Sequence, residues 1–208
     1  MKRFFVPAFA LLFLAGAALP ATAGVPAGAT GTWNVDKVHS EVGFQIRHFV
    51  ADIRGHFTDF AGVIRLDAAK PETSSVELSV KVASVDTWEP QRDAHLRAPD
   101  FFDAERFPEI RFVSKKVVRK SDAAFDVVGD LTMRGVTREV TLPVTFKGIT
   151  RDSWERERAG FEASLTLNRK DFGINWNKVL DQGGYIMGDD VTLSIRLEAT
   201  RPTPATTK

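Results

Sequence analysis

The 208-residue chain contains no cysteine. That absence excludes disulfide staples, thiol nucleophiles, cysteinyl metal sites and lipid attachment through an N-terminal cysteine. Net charge is nearly absent too, since 28 Lys plus Arg face 27 Asp plus Glu and leave a formal +1. A nucleic-acid-binding face gathers positive charge on a patch or stripe, whereas the longest basic cluster here, Lys115 to Lys120, reads as a solvated hairpin end. There is no G-x-S-x-G elbow and no G-x-x-x-x-G-K-S/T loop, which removes two common signatures of hydrolases and nucleotide binders. Asp171-Phe172-Gly173 spells the magnesium triplet of kinases, but no glycine-rich loop, strand lysine or catalytic loop accompanies it. Beyond residue 23 no stretch reaches the ~18 apolar residues of a membrane-spanning helix, so stable membrane insertion is not expected.

What is present begins with a leader. Lys2-Arg3 is basic, Phe4 to Leu19 is apolar, and Ala21-Thr22-Ala23 has small residues at both ends. This is the pattern of a signal peptide over residues 1–23, cleaved after Ala23. Residues 24–31 (GVPAGATG) and 201–208 (RPTPATTK) read as a flexible lead-in and tail. One folded domain over 32–200 remains, and the 43% hydrophobic and 26% charged composition of the whole chain is that of a globular protein.

Alternation dominates that domain. Val42, Phe44 and Ile46 interleave with Glu41, Gln45 and Arg47, and the same period of two returns at 76–82, 140–146, 161–167 and 191–197. It marks strands with one apolar and one polar face. Further strands are expected at 33–36, 61–67, 109–118 and 125–133, with Arg134-Gly135 as a tight turn. Residues 89–107 break the pattern with Pro90 and Pro99 and predict short helix plus an aromatic loop. Eight or nine amphipathic strands close into a barrel or stack as a sandwich. The aromatic insertion favours the barrel, whose open mouth it could cap.

The polar chemistry is sparse. His39, His48, His56 and His95 have no short zinc spacing, so no metal site is expected. His48 continues the inward parity of Phe44 and Ile46. An acid–base enzyme acting on a bound lipid through His48, Asp93 and His95 is an alternative reading, as is a ligand-free interaction module with a filled core. Twelve phenylalanines outside the leader against a single tyrosine point instead to an apolar cavity with few polar handles, suited to a long hydrocarbon. The inward wall is expected from Phe44, Ile46, Val80, Val82, Leu142, Val144, Phe161, Leu165, Leu193 and Ile195. Phe102 and Phe112 are expected near the mouth, and His48, Arg92, Asp93 and His95 at a polar head group.

Several stretches together resemble one family. They are Asp36-Lys37-Val38-His39-Ser40 with Phe44 and His48, Gly55-x-Phe57-x-x-Phe60-x-Gly62, Arg92-Asp93-Ala94-His95-Leu96, Pro99-Asp100-Phe101-Phe102-Asp103, Phe107 to Phe112, Gly129 to Thr137, and Asn168 to Gly173. In order and spacing they resemble the YceI-like proteins over about residues 33–198. Trp88 departs from the family pattern, which has a small or polar residue there. The resemblance implies an all-β, eight-stranded antiparallel lipocalin-like barrel, exported to the periplasm, that binds polyisoprenoid or related long-chain amphiphiles. It implies no cofactor other than a bound isoprenoid, quinone-like or fatty-acyl ligand. A homodimer and transient contact with a membrane cytochrome are the further partners it brings into view.

Overall fold

Where apolar residues recur every second position over five or more residues, the chain buries one face only by becoming strand against a shared interior. In the computed structural model, which describes residues 24–181 and 183–201, this yields β1 (Gly31–Val35), β2 (Glu41–His48), β3 (Ala51–Phe57), β4 (Phe60–Leu66), β5 (Ser75–Lys81) and β6 (Val85–Asp86). After the helix α1 (Pro90–Arg97) come β7 (Glu109–Arg119), β8 (Ala124–Met133), β9 (Val136–Arg151), β10 (Glu157–Asn168) and β11 (Met187–Arg201). The expected signal peptide and the end of the tail lie outside the described residues.

Eight strands close a ring in the order β1, β4, β5, β7, β8, β9, β10, β11, with β11 returning to β1, and every pairing is antiparallel. The expected barrel is thus present. Its seam is forked. The end of β11 pairs with β1 through Asn34↔Thr200 and Val35↔Ala199, while the rest of it pairs with β2 from His48↔Met187 to Glu41↔Arg196. Strands β2, β3 and β6 therefore extend the sheet beyond the ring. The break between β1 and β2 is a tight turn at Lys37–His39, where the Asp36 carboxylate accepts the Val38 N–H at 3.1 Å. Among the described residues no helix is long and apolar enough to cross a membrane.

Two groups of buried side chains fill the interior. Trp33, Phe112, Phe125, Phe146 and Phe172 belong to the larger, and Val42, Phe57, Phe60, Val80 and Val85 to the smaller, beneath the fork. Both ends of the domain extend further than expected. Within residues 24–31, Ala29 is fully buried, Trp33 Nε1 donates to its carbonyl at 2.8 Å and Val25 packs on the core, while Pro26, Ala27, Gly28 and Thr30 are exposed. Arg201, assigned to the tail, ends β11, lies 4.5 Å over the Trp33 ring and donates to the Thr30 carbonyl. Val82 falls beyond β5 into a 3-10 turn, where its N–H donates to the Pro108 carbonyl, so parity no longer sets its direction.

Candidate functional site

Three interior cavities abut along the barrel. The lower one, about 90 Å³, lies between Val25, Leu66, Val117, Phe125, Val144 and Phe146. The middle one, about 70 Å³, is bounded by Val42, Val80, Leu131, Val140 and Leu165. The upper one, about 110 Å³, is enclosed by Phe44, Ile46, Leu96, Phe101, Phe102 and Phe172. Leu78, Phe112, Leu142 and Ile195 border both lower and middle cavities, and Phe57, Ile110, Met133 and Leu193 border both middle and upper. Lower and upper share no lining residue, so the three form a row. Voids with such walls stay dry and accept apolar ligands.

Of the expected wall, Phe44 and Ile46 line the upper cavity, Leu193 the upper and middle, Val80 and Leu165 the middle, Leu142 and Ile195 the middle and lower, and Val144 and Phe161 the lower. Val82 is buried but lines none of these cavities. Phe102 stands at the insertion end as expected. Phe112 does not: it is buried at the neck between lower and middle cavities, because β7 pairs it with Leu78 and Leu131 in the middle of the ring.

The expected polar head group site does not assemble. Asp93 is buried and its carboxylate accepts from the Thr87 N–H at 2.9 Å and the Thr87 hydroxyl at 2.6 Å. Arg92 donates to the same Thr87, through Nε to the hydroxyl and through a terminal nitrogen to the carbonyl, both at 2.7 Å. These bonds fasten α1 onto β6. His95 lies edge-on to Phe101 and Trp176 and reaches Asp100 at 3.3 Å. His48 is half-buried against Phe49 at the end of β2. None of the four lines an interior cavity, and no hydrogen bond among the described residues joins His48, Asp93 and His95 to one another. Trp88 points away from the cavities, 71% exposed and 5.0 Å from the His56 ring.

The polar residue that does border the upper cavity is Arg169. It is buried and donates to the carbonyls of Gly188, Ile174 and Trp176 and to Asp189, at 2.8 to 3.0 Å. The guanidinium closes the turn at Arg169–Phe172, with Gly173 at a positive φ of 74°. This is the structural use of the kinase-like triplet. Neither Arg169 nor Phe57, Leu78, Ile110 and Met133 entered the expected set, although the last four follow the apolar parity or the aromatic clustering of their segments.

A larger groove, about 580 Å³, lies on the outer face where β9 and β10 bulge at Gly160 and Phe161. Its polar lining is already paired: Lys147 with Glu162, Arg196 with Glu162, and Arg158 with Glu198. At its edge Asp36, His39 and Glu198 bring three possible ligand atoms within 4.8 Å of one another. The Arg158 guanidinium bonds both carboxylates and occupies the position a cation would neutralise.

The family model described as a YceI-like domain matches residues 33–199. A UPF0312 protein of Pseudomonas putida (strain F1) is 42% identical over 169 residues, which cover 80% of this chain and 86% of that protein. One from Pseudomonas fluorescens (strain SBW25) is 41% identical over 172 residues, covering 81% and 86%. Among solved structures, BcnA of Burkholderia cenocepacia superposes with a TM-score of 0.69 at 26% identity, over 79% of this chain and 98% of that one. The YCEI protein of Campylobacter jejuni does so with 0.65 at 30% identity, over 81% and 96%. A polyisoprenoid binding domain from Saccharophagus degradans shares the fold, with a TM-score of 0.60 at 15% identity over 82% and 98%.

Proposed function

The chain belongs to the YceI-like domain family, and from that premise we propose that it binds one long apolar chain, an isoprenoid or an acyl chain of similar length, along the barrel axis. The observation that carries this is the row of three cavities with apolar necks. The polyisoprenoid binding domain of the same fold supports the chemical class. Each buried methylene contributes up to about 0.8 kcal/mol, or roughly 4 kcal/mol per five-carbon unit. Association costs about 4–15 kcal/mol, so one or two units do not hold and four or more reach useful affinity without a polar anchor. With Asp93 and Arg92 committed to Thr87, burial does the gripping and binding rather than catalysis is the role. For a chain of this length Phe112, Phe57 and Met133 turn aside at the necks.

The leader-like first 23 residues support export, and we place the protein in the periplasm as a carrier. Native mass spectrometry of protein purified from its host, followed by organic extraction, tests the proposal. A single chain-like lipid per protein is the expected result. A ligand-free protein whose affinity for added lipids ignores chain length overturns it.

A further inference from the structure

The upper end of the barrel carries an apolar surface that the cavity does not use. At the turn between β2 and β3, Phe49 is 50% and Val50 87% exposed. In the neighbouring loop Val179 is 64% and Tyr185 60% exposed. The two tips are one body. The Phe49 N–H donates to the Ile186 carbonyl at 2.9 Å, His48 pairs with Met187, and Val179 bridges Tyr185. Turn tips are ordinarily polar, as they are at the lower end, where the turn between β7 and β8 carries Ser121 and Asp122. Trp154, exposed at that lower end, lies under the Arg156 guanidinium at 5.1 Å as Tyr185 lies under Lys170 Nζ at 5.9 Å, so what sets the upper end apart is that its exposed apolar residues are gathered on two joined tips.

Two further features say what covers this patch. Among the described residues Arg47, Arg54 and Lys178, which flank the tips, form no ion pair; Asp52, opposite Arg47 in register, accepts from Gln45. Arg47 donates from Nε to the Phe49 carbonyl and Arg54 from Nε to Gln45, yet neither guanidinium is neutralised. Three cations against the exposed Asp52 and Asp181 leave a positive rim around apolar tips, which fits the interface of a bilayer with phosphate head groups. The apolar path is also continuous, since Ile46 and Met187, just inward of the tips, line the upper cavity.

We propose that the joined tips, Phe49-Val50 and the bridged pair Val179 and Tyr185, insert into the interfacial zone of a phospholipid bilayer and present the upper cavity to it. The docking stands on the tips themselves; only its use for loading cargo rests on the function proposed above. The chain has no cysteine, so Val50→Cys and Ser121→Cys each place a single environment-sensitive dye, one per end. With vesicles of phosphatidylcholine and phosphatidylglycerol, the dye at 50 shifts to the blue and is quenched by brominated acyl chains, while the dye at 121 does neither. The double variant Phe49→Asp, Val50→Asp lowers the vesicle-bound fraction about tenfold with its melting temperature and its affinity for lipid chains in solution unchanged. Asp tolerates the positive φ of 49° at position 49. Equal responses from both dyes, no response from either, or a variant that binds as well as the parent overturns the proposal. So does a dye at 50 that responds only when membrane proteins are reconstituted into the vesicles, which assigns the tips to a protein. Failure of chain binding in solution with docking intact strikes the function proposed above and leaves the docking standing.

Discussion

At the scale of single residues, the barrel interior is set by which side chains the wall has room for. A Cβ on Gly129 comes within 2.5 Å of the Val113 carbonyl oxygen and 2.7 Å of Phe112 Cζ. The backbone oxygen has no way to yield, so Gly129→Ala is expected to destabilise the fold by about 1–3 kcal/mol, read from the denaturation midpoint. A Cβ on Gly55 would come within 2.4 Å of Phe44 Cζ and 2.7 Å of Thr87 Cγ2 instead, and the Phe44 ring has the upper cavity to move into. The same ring separates two ideas about binding. Phe44→Asp places a carboxylate on an apolar cavity wall and is expected to abolish chain binding, whereas His95→Ala, which removes a ring packed outside the cavities, leaves affinity within about twofold. Titration of both with one labelled lipid decides it, and a greater loss from His95→Ala restores the polar anchor.

Elements are held in place by polar links that alternation does not announce. The β9–β10 turn, the β1–β2 turn and β11 meet at Arg158, whose guanidinium bonds Asp152 and Asp36 at 3.0 Å each and also Glu198. Burial raises the Asp152 pKa, but the N–H groups of Arg156 and Trp154 and the Arg158 and Arg156 guanidinium groups outweigh it and bring the carboxyl to about 2. Burial likewise raises the Asp36 pKa, but the bonds from His39, Arg158 and the Val38 N–H outweigh it and that carboxyl also ends low. A carboxylate depressed in the folded state contributes stability above its unfolded pKa and loses it as pH falls toward the folded value. Thermal melts are therefore expected to hold steady down to about pH 4 and then fall toward about pH 2, and Asp152→Asn to flatten that fall. A variant that keeps the full slope assigns the acid sensitivity elsewhere. Alternation made β5, β9, β10 and β11 legible, since each buries one face against the ring. The same period runs through β3, where Ala51, Ile53, Gly55 and Phe57 interleave with Asp52, Arg54 and His56, but only Ile53 and Phe57 are bulky, so the apolar face is too thin to mark the strand. Alternation could not foresee the fork either, because pairing β1 and β2 to two parts of β11 is fixed by the Asp36–Ser40 turn and its bonds to Glu198, across more than 150 residues. Arg92, Asp93 and His95 were legible as a motif and not as a role: the pairing of Arg92 and Asp93 with Thr87, and the packing of His95 on Phe101 and Trp176, use the same residue types as a ligand site would.

For the whole molecule, the order of the cavities makes chain length a spatial measurement. If the chain enters past the insertion and the apolar tips, its first units occupy the upper cavity and only the longest ligands reach the lower one. Val144 borders the lower cavity alone and Ile46 the upper alone. Val144→Phe fills part of about 90 Å³ of space and is expected to leave short chains bound as before while the affinity plateau arrives one isoprene unit earlier. Ile46→Phe narrows the first compartment and weakens every length alike, by at most about three orders of magnitude if a whole unit of roughly 4 kcal/mol is lost. The reverse outcome, with Ile46→Phe shortening the plateau and Val144→Phe weakening all lengths, places entry at the lower end beside Val25. Should neither substitution move the plateau, the chain lies somewhere other than this row, and the outer groove at Gly160 becomes the space to probe next.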